Sequence, residues 1–109
     1  MTLAELLMQA WEESRHKSIA ALHRAMPEGV CAASTLRGWL KGYRKPTLKQ
    51  VLMVIEALLL DDTSDLAIDI ACAADRQALN LIEYLKSQGV PRDRWLYELR
   101  GLMSLETSP

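Results

Sequence analysis

Apolar residues recur every three or four positions along nearly the whole chain, in short stretches that begin at a capping residue and end at a breaker. That period is helical and leaves little room for the two-residue alternation of a half-buried strand. Leu3, Leu6, Leu7, Ala10 and Trp11 make the first stretch, with Thr2 placed to cap it and Glu5 at capping-box spacing. This predicts a helix over 3–14. A second stretch begins near Ser18, carries Ile19, Leu22, His23 and Met26 on one stripe, and is broken by Pro27, Glu28 and Gly29. A third helix is expected over 33–41, closed by Gly42 as a left-handed cap. The fourth opens at Thr47, with Gln50 again at capping-box spacing, and offers Leu48, Val51, Leu52, Ile55, Leu58 and Leu59 as its buried face. Asp61, Asp62, Thr63 and Ser64 end that segment. Beyond them, Leu66, Ile70, Ala73, Ala74, Leu81 and Leu85 predict one long helix over 65–88, ended by Gly89. At 1.5 Å per residue it spans roughly 36 Å. Pro91 then starts a last helix carrying Trp95, Leu96, Leu99, Leu102 and Met103, with a frayed tail over 106–109.

Composition agrees with an all-α fold. Half the residues are apolar and none is Phe, and the Leu and Ala that dominate are among the best helix formers. No apolar run approaches the ~18 residues that span a bilayer, and Glu56 interrupts the best candidate, 51–60. The chain opens without a basic stretch ahead of an apolar one, so neither signal peptide nor membrane partner is expected. Cys31 and Cys72 stand in no metal-like cluster and are expected as reduced thiols in a cytoplasmic protein.

The net charge of −1 conceals an asymmetry. Residues 1–14 carry only Glu5, Glu12 and Glu13, residues 15–55 carry eight Lys and Arg against Glu28 alone, and residues 56–109 carry five basic and ten acidic groups. A basic block confined to one segment is either a solvated face or the footprint of a polyanion.

Within that block, Leu36 and Trp39 sit three apart, Gly42 follows, and Arg44, Lys45 and Pro46 lead into the next helix. This arrangement resembles the lambda-repressor-like family, also called Cro- or XRE-type. In that family an apolar residue and a Trp or Leu anchor a recognition helix that ends in Gly before a basic exit. Ile19 and Ala20 resemble the Leu-Ala pair of the family's first motif helix. The resemblance covers residues 17–60, and the connection 25–32 is several residues longer than the family's usual turn. It implies a helix-turn-helix bundle that binds double-stranded DNA, here followed by two C-terminal helices. The matching boundaries are a DNA-binding domain over 1–62 and a helical dimerisation region over 63–109.

A recognition helix buries one side and offers short or polar side chains to the major groove. Leu36, Trp39 and Leu40 suit the inner side, while Ala33, Ser34, Arg37, Gly38 and Lys41 fall outward, small residues there permitting close approach to bases. Arg37 can fork onto guanine O6 and N7, or serve as a phosphate contact or surface ion pair. Ser34 can bond a base or cap the helix. Lys41, Tyr43, Arg44 and Lys45 sit where the family's backbone contacts fall, the bland alternative being a solvated loop. Lys17 and Ser18 begin the preceding helix, whose N-terminal dipole end favours a phosphate. Trp39 is expected in the core, His23 as a packed histidine, and His16 as a bystander.

Enzymatic readings want parts. The two histidines, seven apart, are not completed into a metal site by a neighbouring Cys, Asp or Glu, no glycine loop could cradle a nucleotide, and no cofactor is implied. Asp61, Asp62, Asp65 and Asp69 lack the glycine of a calcium loop and read as charge complementing a helix N-terminus. The acidic C-terminal half either pairs two copies or packs back to finish the monomer core. The expected function is a dimeric transcription regulator, a repressor of bacterial or phage type on a partly palindromic operator. The alternative is an adaptor or inhibitor that binds a protein partner through the C-terminal helices.

Overall fold

The computed structural model of the protein describes residues 1–107, without the side chains of 104–107. Among the described residues there are seven α-helices, a short 3-10 turn and no strand: α1 (Leu3–Glu12), α2 (Ile19–Ala25), α3 (Ala33–Lys41), α4 (Leu48–Ala57), α5 (Asp65–Ala74), α6 (Arg76–Ser87), the turn Arg92–Arg94, and α7 (Trp95–Thr107). None is long and apolar enough to cross a membrane.

Local hydrogen bonding explains most helix starts. The Thr2 hydroxyl accepts from Glu5 N–H at 3.2 Å while Glu5 Oε1 accepts from Thr2 N–H at 3.2 Å, the reciprocal box the spacing predicts. The Thr2 N–H first, and second its hydroxyl, which also donates to Glu5 Oε1 at 3.0 Å, hold the Glu5 carboxyl below its ordinary value. Thr47 and Gln50 repeat the device on α4. Ser18 and Ser64 cap α2 and α5 through their hydroxyls. Gly42 closes α3 at φ +87°, a conformation costly for any residue with a Cβ.

The long helix expected over 65–88 is two helices. Asp75 adopts an extended conformation between them (φ −154°, ψ 131°), and its carboxylate accepts from Gln77 N–H at 2.8 Å. A capping carboxylate ends α5 and starts α6 without Gly or Pro. The break turns α6 back to pack on α5, which itself lies against α1 and α4. One apolar cluster therefore runs from Leu7, Leu22 and Leu36 through Val51 and Ile55 to Ile70, Ile82, Leu96 and Leu99.

Leu59, expected on the buried face of α4, is 75% exposed. The helix has already ended: Leu60 N–H donates to the Ile55 carbonyl and Leu59 N–H to the Glu56 carbonyl, and Leu59 sits at φ +57°. This is a Schellman turn with leucine where glycine is the usual occupant. Ala73 is likewise exposed. The 3-10 turn after Pro91 precedes the last helix, which Pro91 was expected to start directly. Of the tail expected to fray, 106–107 continue α7, and Ser108 and Pro109 lie outside the described residues.

Candidate nucleic-acid interface

Helix α3 divides its residues sharply. Leu36, Trp39 and Leu40 are buried, Trp39 at 2% exposure, and they hold α3 against α1 and α2. Ala33, Ser34, Arg37 and Lys41 are exposed, and at helical spacing they form one continuous strip. The helix begins on Ala32, which offers no capping side chain. Ser34 is inside the helix and is not its cap, which removes one of the two roles expected for it. Its hydroxyl makes no hydrogen bond among the described residues.

Gly38 departs from the expected outward group. It is buried, and what covers it is Arg44: a Cβ built on Gly38 would lie 3.1 Å from Arg44 Cγ and 3.2 Å from Cδ. The small residue admits a neighbouring side chain, so the surface at that point belongs to Arg44.

The turn after α3 presents Tyr43, Arg44 and Lys45 to solvent, Tyr43 at 84% exposure. Together with Lys41 they form one wall of an open groove of about 1030 Å³ whose opposite wall is α1, with Glu5 and Glu12 on it. Gly42 lies close to α1, a Cβ there coming 3.4 Å from Ala4 Cβ. The acidic wall repels a phosphate backbone, so the outer, basic rim is the usable side for an anion. Lys17 and Ser18, exposed at the start of α2, do not border this groove. The Ser18 oxygen accepts from Ala21 N–H at 3.0 Å as the α2 cap.

The electrostatic feature of the region is what its cations lack. Arg15, Lys17, Arg24, Arg37, Lys41, Arg44, Lys45 and Lys49 are all exposed. Among the described residues, none forms an ion pair: the salt bridges all belong to Arg92, Arg94 and Arg100. Lys49 was counted in the basic block but not among the site residues. It lies in the first turn of α4 and borders a smaller depression of about 360 Å³ with Glu28, Gly29 and Gln50. Its position directly beyond the Arg44–Lys45 exit was the available signal.

The histidines brace the region. His16 Nε2 is 2.9 Å from the Ala57 carbonyl, joining the α1–α2 loop to the end of α4. His23 Nε2 is 2.7 Å from the Cys31 carbonyl, fixing the long α2–α3 connection shortly before α3 begins. Both thiols are raised by burial, Cys72 further by the charges of Asp69 and Glu83. Of the four acids expected to complement a helix N-terminus, Asp65 lies in the first turn of α5 and also pairs with Arg92, whereas Asp62 precedes the helix and pairs with Arg100. Asp61 accepts from the N–H and hydroxyl of Thr63, which together hold its carboxyl below the ordinary range.

No family model, curated protein or solved structure matches the chain.

Proposed function

We propose that the protein is a sequence-specific DNA-binding regulator of transcription whose α2–α3 pair acts as a helix-turn-helix, with α3 entering the major groove. The observation that carries this reading is the set of eight exposed Lys and Arg between 15 and 55, none ion-paired among the described residues, around a polar strip on α3. Acidic partners exist in the chain, since Asp and Glu outnumber Lys and Arg by 14 to 13. Cations left unpaired beside such a supply suit an external polyanion, whose phosphates release condensed counterions on neutralisation. Arg37 and Ser34 face outward at the middle and start of the strip and are the base-reading candidates. Lys41, Tyr43, Arg44, Lys45 and Lys49 are placed to follow one phosphate backbone, and Lys17 with Ser18 a second.

In this reading two chains pair to span a partly palindromic operator, and the bound dimer represses by occluding polymerase. The exposed apolar side chains Leu79, Tyr84, Tyr97 and Leu102 on α6 and α7 are the surface offered for pairing. Binding of the full chain to labelled duplexes, titrated with salt, tests the central claim. Affinity that falls steeply and log-linearly with salt supports it. No affinity for any duplex at low salt returns the chain to the protein-adaptor alternative. A monomer mass by light scattering at micromolar concentration removes the dimer.

A further inference from the structure

Gly38 lies at the margin of the α3 strip. At about 100° per residue it falls about 40° beyond Ser34, on the border between the exposed side and the core. The Arg44 stem occupies that border. Its Cβ, Cγ and Cδ lie 3.4, 3.1 and 3.2 Å from where a Gly38 Cβ would be, so three successive carbons run across the Gly38 backbone. The backbone of Arg44 is held at the same residue: the Gly38 carbonyl accepts from Arg44 N–H at 3.2 Å and from Tyr43 N–H at 2.9 Å. The side chain remains exposed overall and has no ion-pair partner among the described residues.

We propose that Gly38 is a positioning residue, a seat that lays Arg44 along α3 and makes its guanidinium part of the strip formed by Ser34, Arg37 and Lys41. Arg44 then helps to discriminate between DNA sequences, beyond attracting the duplex. The proposal rests on the DNA-binding reading above. An arginine whose stem is ordered before binding loses less rotamer freedom when it engages, and its planar fork matches a base edge better than it serves diffuse attraction. A loop arginine without a seat is a phosphate contact, and its removal weakens binding to all sequences alike. Local propensity opposes glycine here, because alanine is the better residue inside a helix. Substitution therefore separates the seat from the fold.

The experiment uses the full chain as wild type, Gly38→Ala, Arg44→Gln and the double variant. A fully randomised duplex pool supplies the sequence that the wild type selects, and affinities are measured for that duplex and for the unselected pool. Gly38→Ala should keep or raise the melting temperature, yet bind the selected duplex about tenfold more weakly, with little change on the pool. Arg44→Gln should lose at least that factor on the selected duplex and less on the pool, relaxing the same base preference, and the double variant should lose no more than Arg44→Gln alone. Wild-type binding by Gly38→Ala, losses that multiply in the double variant, or equal losses on the pool overturn the proposal. Should Gly38→Ala instead lower the melting temperature, Arg44→Ala in that background must restore it, and failure to do so overturns the seat. A wild type that binds no duplex at low salt removes the DNA-binding reading itself. A wild type that binds, with variants that act independently, removes this inference alone.

Discussion

The two ends of the molecule treat arginine in opposite ways. Between 15 and 55 the arginines and lysines stand exposed and unpaired among the described residues. After Asp62 three of the four arginines, Arg92, Arg94 and Arg100, are structural, while Arg76 is exposed and makes no ion pair among the described residues. Arg100, at 25% side-chain exposure, holds Asp62 through both terminal nitrogens, and its Nε lies 3.2 Å from Glu56 Oε1. That last contact is coulombic only, since Nε is buried without a hydrogen-bonded partner. Arg92 pairs with Asp65 and donates to the Thr63 carbonyl at 2.6 Å, and its guanidinium lies over the Trp95 ring. Arg94 pairs with Glu98 and lies over Tyr97. A cation tied to a carboxylate is already neutralised and has little to offer a phosphate. An untied one remains available. The same residue type thus closes the fold at one end and marks a candidate ligand face at the other.

The sharpest way to break that division is to cut along it. Helix α5 lies beyond Asp62 yet buries Ala67, Ile68, Ile70, Ala71 and Ala74 against the rest. Burying one Ile-sized side chain contributes about 1.5–3 kcal/mol, and a domain's whole stability is about 5–15 kcal/mol. A chain ending at Asp62 should therefore lose its cooperative thermal transition by circular dichroism. A truncated chain that melts like the intact one would show that the basic region folds alone.

Next in size is the salt response. Replacing Lys41, Arg44 and Lys45 with Gln should lower the log–log slope of DNA affinity against salt by roughly two to three units, at about 0.9 per phosphate contact. The helical signal should be unchanged. Charge reversal of Arg76 and Lys86 on α6 should leave the slope as it was. If that pair matters and the trio does not, the DNA face is misplaced.

Arg100→Gln should do the reverse. It removes the clamp between α7, Glu56 and Asp62, and should cost about 1–2 kcal/mol, discounted for partial exposure. The urea midpoint measures this, while the salt slope stays fixed. A changed slope with unchanged stability would contradict the structural role.

The smallest effect lies at the junction of the two regions. Leu59 holds a left-handed conformation with its side chain exposed, so Leu59→Gly relieves backbone strain and removes little burial. A gain of about 0.5–1 kcal/mol is expected in the same urea titration. A loss of stability would mean that Leu59 packs more than its exposure indicates.

Much of this architecture is legible in the sequence because it is local. A Thr three residues before Glu or Gln, a Gly after an amphipathic run, and apolar residues at helical spacing each settle their own turn of chain. Helices α1 to α4 follow from such signals almost residue by residue. The break at Asp75 is equally local but resembles its surroundings: a capping aspartate among good helix formers reads as one more surface residue until its backbone is seen. At the candidate site, the exposed strip of Ala33, Ser34, Arg37 and Lys41 follows from periodicity alone.

The sequence by itself determined the all-helical class, most caps, the buried side of α3 and the segregation of charge, since each depends on neighbours within about four positions along a helix. Only the tertiary structure decided which segments share a core, which arginines are neutralised and what covers Gly38. Arg100 meets Asp62 across 38 positions and His16 meets Ala57 across 41. Arg44 reaches Gly38 by folding back over the end of its own helix. Such pairings depend on where apolar faces bring distant backbone together, which the spacing along a single helix does not specify.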